Sequence, residues 1–78
     1  MPTVLYINGF RFYFFSNENN EPMHIHIEKA EGSGKIWLEP FEIEYLYGFT
    51  KKQEKQIKEI AQNNLETFKN KWNEHFGK

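Results

Sequence analysis

The spacing of apolar residues changes once along this chain, and the change decides its fold class. Before residue 48 apolar and polar positions alternate in Met23-His24-Ile25-His26-Ile27-Glu28 and in Phe41-Glu42-Ile43-Glu44-Tyr45. Alternation gives a β-strand one apolar face. After Gly48 no glycine or proline occurs until Gly77, and the period lengthens. Ile57, Ile60, Ala61, Leu65, Phe68, Trp72 and Phe76 then fall on one stripe of a helix. Neither apolar surface can stay in water, so the helix must cover the sheet. The expectation is an α+β fold, an antiparallel sheet of four to five strands packed on one long C-terminal helix.

Local signals place the boundaries. Asn8-Gly9 stands between two aromatic and β-branched runs, Val4–Ile7 and Phe10–Phe15, and marks a hairpin. A polar loop, Ser16 to Pro22, leads into a strand from Met23 to Lys29. Glu31-Gly32-Ser33-Gly34 reads as a turn, Lys35–Leu38 as the next strand, and Pro40 as an interruption before Phe41–Tyr45. Thr50 with Gln53 makes a capping box at the helix start. The helix would run about 25 residues, or about 38 Å. Asn63-Asn64, both poor helix formers, is the place for a break. All 78 residues form one domain, with 1–47 as sheet and 50–76 as helix.

Alternation assigns the two faces. Phe10, Phe12, Phe14, Met23, Ile25, Ile27, Ile36, Leu38, Phe41, Ile43 and Tyr45 would face the helix. Arg11, Tyr13, Phe15, His24, His26, Glu28, Lys35, Trp37, Glu39, Glu42 and Glu44 would face away. The chain has no cysteine, so disulfides and thiolate metal sites are excluded, which fits a cytoplasmic protein. Eight Phe, four Tyr and two Trp compensate, either in a dense core or on an aromatic contact surface. A net charge of -1 is not the balance of a nucleic-acid binder, and no apolar run has membrane length.

The groups that carry chemistry cluster on the second face. His24 and His26, at i and i+2 on one strand, would lie about 6.5–7 Å apart at the backbone. As a pair they suit acid–base catalysis on a phosphodiester, with Arg11 or Lys35 holding the phosphate. They also make half of a metal site, with Glu28 or Glu39 as further ligands; no cofactor is otherwise implied. Equally, a histidine next to Pro22 can serve structure alone, bonded to the loop backbone. Asn17 and Glu18 either shape that loop or orient a histidine. On the helix, Lys51, Lys55, Lys58 and Lys69 form a flank that could meet nucleic acid, diluted by Glu54, Glu59 and Glu66. His75 falls on the buried stripe above Ile57.

Several stretches resemble a known bacterial family, domain of unknown function four-one-six-zero. They are Met1-Pro2-Thr3, Phe14-Phe15-Ser16-Asn17-Glu18, the Pro22-x-His24-x-His26 strand, and Asn64, Phe68, Trp72 and Asn73 near the end. The family often has a second proline where Met23 stands, and a loop histidine where Asn19 or Asn20 stands. The resemblance implies no activity. It does imply a protein partner, because the family's genes commonly neighbour another small uncharacterised domain in a toxin–antitoxin-like arrangement.

Two function classes follow. One is a protein-interaction component of a toxin–antitoxin-like or regulatory module, using Arg11, Tyr13, Asn17, Glu18, Glu28 and Trp37. The other is an enzyme, a small ribonuclease or phosphodiesterase built on His24 and His26. A metal-binding protein using the same histidines is a third reading.

Overall fold

Asn8 and Gly9 both adopt positive φ, 55° and 82°, and close the first hairpin as their tolerance of that region predicts. The computed structural model describes residues 3–15 and 20–77. Five strands come first: β1 (Thr3–Ile7), β2 (Phe10–Tyr13), β3 (His24–Lys29), β4 (Gly32–Leu38) and β5 (Phe41–Tyr47). Two helices follow, α1 (Lys51–Asn63) and α2 (Leu65–Phe76). Each strand pairs antiparallel with its neighbour in sequence, so the sheet order is β1-β2-β3-β4-β5.

The core forms where both apolar patterns meet. Phe10, Phe12, Ile25, Ile27, Ile36 and Leu38 of the sheet bury against Ile57, Ile60, Ala61, Phe68 and Trp72 of the helices. Phe12 stacks on Phe68 with ring centroids 5.3 Å apart. Met23, Phe41, Ile43, Leu65 and Phe76 pack around this centre, half-buried. The capping box is present: Thr50 Oγ1 accepts from the Gln53 backbone, and Gln53 Oε1 accepts from the Thr50 N–H.

The single long helix is corrected to two. Asn64 leaves helical geometry, at φ -116° and ψ 19°. Its backbone N–H and its side-chain Nδ2 both donate to the Ile60 carbonyl, at 3.0 and 2.8 Å. A side chain inserted into the helical ladder in this way breaks the run. The consequence is geometric. A seven-residue strand such as β4 spans about 23 Å, whereas one straight helix would overrun it by about 15 Å. After the break, α2 brings Trp72 and Phe76 onto Phe14, with centroids 5.5 and 5.6 Å away. A helical projection counted straight through from Ile57 still holds for Leu65, Phe68, Trp72 and Phe76, which all pack in or against the core. His75 is the exception: it is exposed rather than on the buried stripe, although its ring still meets Phe14 edge-on at 5.1 Å.

Three assignments in the sheet also change. Glu31-Gly32-Ser33-Gly34 is not a turn; Ala30 and Glu31 make the turn, and Lys29 pairs with Gly32. The glycines instead make room within β4. A Cβ on Gly32 would come within 2.5 Å of the Phe49 ring, and one on Gly34 within 2.5 Å of Leu46. Tyr45 does not face the helices. Lys35 pairs with Tyr45 while Ile36 pairs with Ile43, which leaves Glu44 as the extra residue of a bulge. The bulge resets the alternation, so Tyr45 and Tyr47 join the open face and Leu46 takes the core side opposite Gly34. Glu39 lies in the β4–β5 turn and meets Lys69 of α2 at 3.6 Å, away from the open face.

Trp72→Ala should destabilise the domain by about 3–5 kcal/mol, as truncation of a large buried aromatic does. Chemical denaturation checks this, and a loss below about 1 kcal/mol would place Trp72 outside the core.

Candidate functional site

Cross-strand partners share a face, so the register lays out the open side in rows. One row runs Tyr6, Arg11, Glu28, Ser33, Tyr47 across all five strands. The next runs Thr3, Tyr13, His26, Lys35, Tyr45. A third, shorter row sets His24 beside Trp37 and Glu42.

The middle of this face is held by short polar and ring contacts. Arg11 donates through Nη1 to Glu28 Oε2 and through Nε to Thr3 Oγ1, each at 2.8 Å. Its guanidinium lies 4.3 Å from the Tyr13 ring centre. Tyr13 in turn stacks on His26, with centroids 5.4 Å apart. Phe15 meets His26 edge-on at 4.9 Å. Lys35 sits 4.3 Å from the centre of the Trp37 ring and donates to Glu21 at 3.2 Å. The Trp37 indole N–H donates to Glu44 at 2.7 Å. Cations over aromatic rings and carboxylates on both flanks leave these side chains little rotamer freedom.

The outer positions differ. Tyr6, Tyr45 and Tyr47 are 69%, 46% and 73% exposed. They flank the fixed centre on the two outermost strands. Two shallow hollows adjoin the face. One, of about 200 Å³, lies by Tyr6, Arg11, Glu28 and Lys29; the other, of about 160 Å³, lies by Pro22, Trp37, Pro40 and Glu42.

His24 overturns the expectation that both histidines lie open. It is fully buried, with its ring 5.0 Å from Trp72 and 5.4 Å from Trp37. The cause is its position as the first residue of β3, at the end of the sheet that α2 reaches after the Asn64 break. Strict alternation places a side chain above or below a strand, but it does not foresee a helix arriving at the strand's end. Its Nδ1 lies 2.9 Å from the Pro22 carbonyl oxygen and 3.8 Å from Glu21. A carbonyl only accepts, so Nδ1 carries the hydrogen and ties the loop end to the strand. His26 remains half-buried on the open face, edge-to-face with His24 at 5.1 Å.

The structure thus brings Arg11, Tyr13, His26, Glu28 and Trp37 together on one surface, with His24 beneath its edge. Asn17 and Glu18 lie outside the described residues. Lys51, Lys55 and Lys58 lie apart, on α1 next to β5, while Lys69 pairs with Glu39 and Glu66. Among the described residues no three His, Cys, Asp or Glu side chains converge as a metal site would require. Among these same residues no helix is long and apolar enough to cross a membrane. The three exposed tyrosines were not singled out from sequence. Tyr6 was reachable, because a two-residue Asn-Gly turn sets Ile7 opposite Phe10 and so Tyr6 opposite Arg11. Tyr45 and Tyr47 depend on the bulge, which has no local sequence signal here.

Residues 9–73, from the first turn to the last turns of α2, match the family described as Domain of unknown function (DUF4160). The chain belongs to this family. Its match takes in β2 to β5, α1 and most of α2, and so the open face of this DUF4160 domain apart from Thr3 and Tyr6 of β1. No curated protein and no solved structure matches the chain significantly.

Burial separates the two histidines experimentally. His24→Gln should cost about 1–3 kcal/mol, the range for disturbing a buried hydrogen-bonded group. His26→Gln should cost clearly less. Urea unfolding of the two variants compares them, and equal losses would contradict the assignment of His24 to the interior.

Proposed function

We propose that this DUF4160 domain is a protein-interaction module whose open sheet face docks a second small protein, as a component of a toxin–antitoxin-like or regulatory pair. The observation that carries the reading is the division of that face into a fixed centre and exposed tyrosines. Tyr, Trp and Arg are the residues that dominate binding energy at protein interfaces. Here Arg11 and Trp37, both half-buried, are already held by neighbours, with Tyr13 buried beside Arg11, so little side-chain entropy remains to be lost on docking. Tyr6 and Tyr47 stand at opposite ends of one row and offer large, stiff contact areas.

The two-histidine nuclease draws less support. General acid–base catalysis needs both groups within reach of the substrate, and the burial of His24 against Trp72 leaves His26 alone on the surface. A broad face, with shallow hollows beside it among the described residues, also suits a protein surface better than a small substrate.

The test is co-purification and titration with the product of the adjacent gene. The wild-type chain should form a complex. Tyr6→Ala with Tyr47→Ala should weaken it about tenfold or more, since interface tyrosines often carry over 1.4 kcal/mol each. Both positions are exposed, so melting should barely move. Absence of a complex, or one indifferent to the double substitution, would overturn the reading. RNA cleavage by the purified chain that His26→Gln abolishes would transfer support to the enzyme.

A further inference from the structure

β5 is an edge strand, and its outer side carries the backbone groups that a sixth strand would pair with. Beside it, between β5 and α1, runs a groove of about 460 Å³. Ile43 and Leu46 line it with apolar surface, and Lys51, Lys55 and Lys58, with Glu54, line it from the helix. Among the described residues none of these three lysines has an ion pair, whereas Lys69 and Lys71 do. An excess of positive charge, three lysines against Glu54, therefore lies beside an open strand edge and an apolar floor.

We infer that this groove takes an extended acidic segment of a protein partner, added to β5 as a sixth strand. Strand addition supplies main-chain hydrogen bonds, and alternate side chains supply specificity. On the groove side, a glutamate would lay its methylenes over Ile43 and Leu46 while its carboxylate reaches the lysines; long charged side chains bury their stems in this way. The bulge at Glu44 confines regular pairing to short runs on either side of it, so the groove contributes selectivity beyond the backbone. A second copy of this chain is a poor occupant, because pairing β5 with β5 would set one lysine rim against the other. The groove lies on the helix side of β5, although β5 also carries Glu42, Tyr45 and Tyr47 of the open face, and the inference does not rest on the function proposed above.

The probe is a capped heptapeptide of alternating threonine and glutamate, beginning and ending with threonine, titrated into the isotope-labelled full chain and followed by amide NMR. The expected result is saturable binding, with shifts and slowed exchange at the amides of Phe41–Tyr47. The same peptide with lysine for glutamate should bind on the order of tenfold more weakly or worse, from charge complementarity. Lys51→Glu with Lys55→Glu should reverse that preference. The fold should survive the exchange, because acidic residues suit the first turns of a helix. Equal binding of both peptides, shifts confined to the open-face residues of β1 to β3, or no reversal in the double variant would overturn the inference. So would a short oligouridylate that shifts the lysine-rim amides more strongly than the acidic peptide does.

Discussion

The break in the helix at Asn64 is the constraint on which the molecule depends. A five-stranded meander has one apolar face to cover, and its strands are shorter than an unbroken helix of this length would be. Two side-by-side bonds to the Ile60 carbonyl, one from the Asn64 backbone and one from its side chain, end the first helix without a glycine or proline. The second helix then covers the part of the sheet that the first leaves bare. Phe14, Trp72 and Phe76 close the core there, and His24 is enclosed with them.

That closure also bears on the open face. His24 is buried beneath its edge, Trp37 and His26 rest against its ring, and the chain of contacts continues outward. Tyr13 lies on His26, Arg11 on Tyr13, and Glu28 holds Arg11. The core and the outer surface are thus coupled through one histidine at the start of β3. Removing a ring from the core side would loosen the outer one, because packed interiors transmit strain.

Much of this was legible in the sequence, and the failures have physical causes. The first hairpin, the capping box, the helix stripe and the inward set of β3 all follow from local chemistry: Asn-Gly tolerance of positive φ, reciprocal bonds at a helix start, and apolar spacing. Tyr45 was misplaced because a bulge adds one residue, and period-two counting flips after it. Turn chemistry alone puts Gly32 and Gly34 in a turn, yet they serve β4 by admitting Phe49 and Leu46 from elsewhere in the chain. His24 was misplaced because its surroundings come from Trp72, nearly fifty residues away in sequence. In each case local pattern gave the strand or turn, and a tertiary neighbour decided what the side chain touches.

The two tryptophans divide the molecule between them. Trp72 lies in the interior among Phe14, His24 and Phe76. Trp37 lies half-exposed on the opposite side, under Lys35 and bonded to Glu44. Their indoles sense different dielectric surroundings, so the intrinsic fluorescence of the protein carries two separate signals. One reports whether the helical layer is seated, and the other whether anything rests on the sheet.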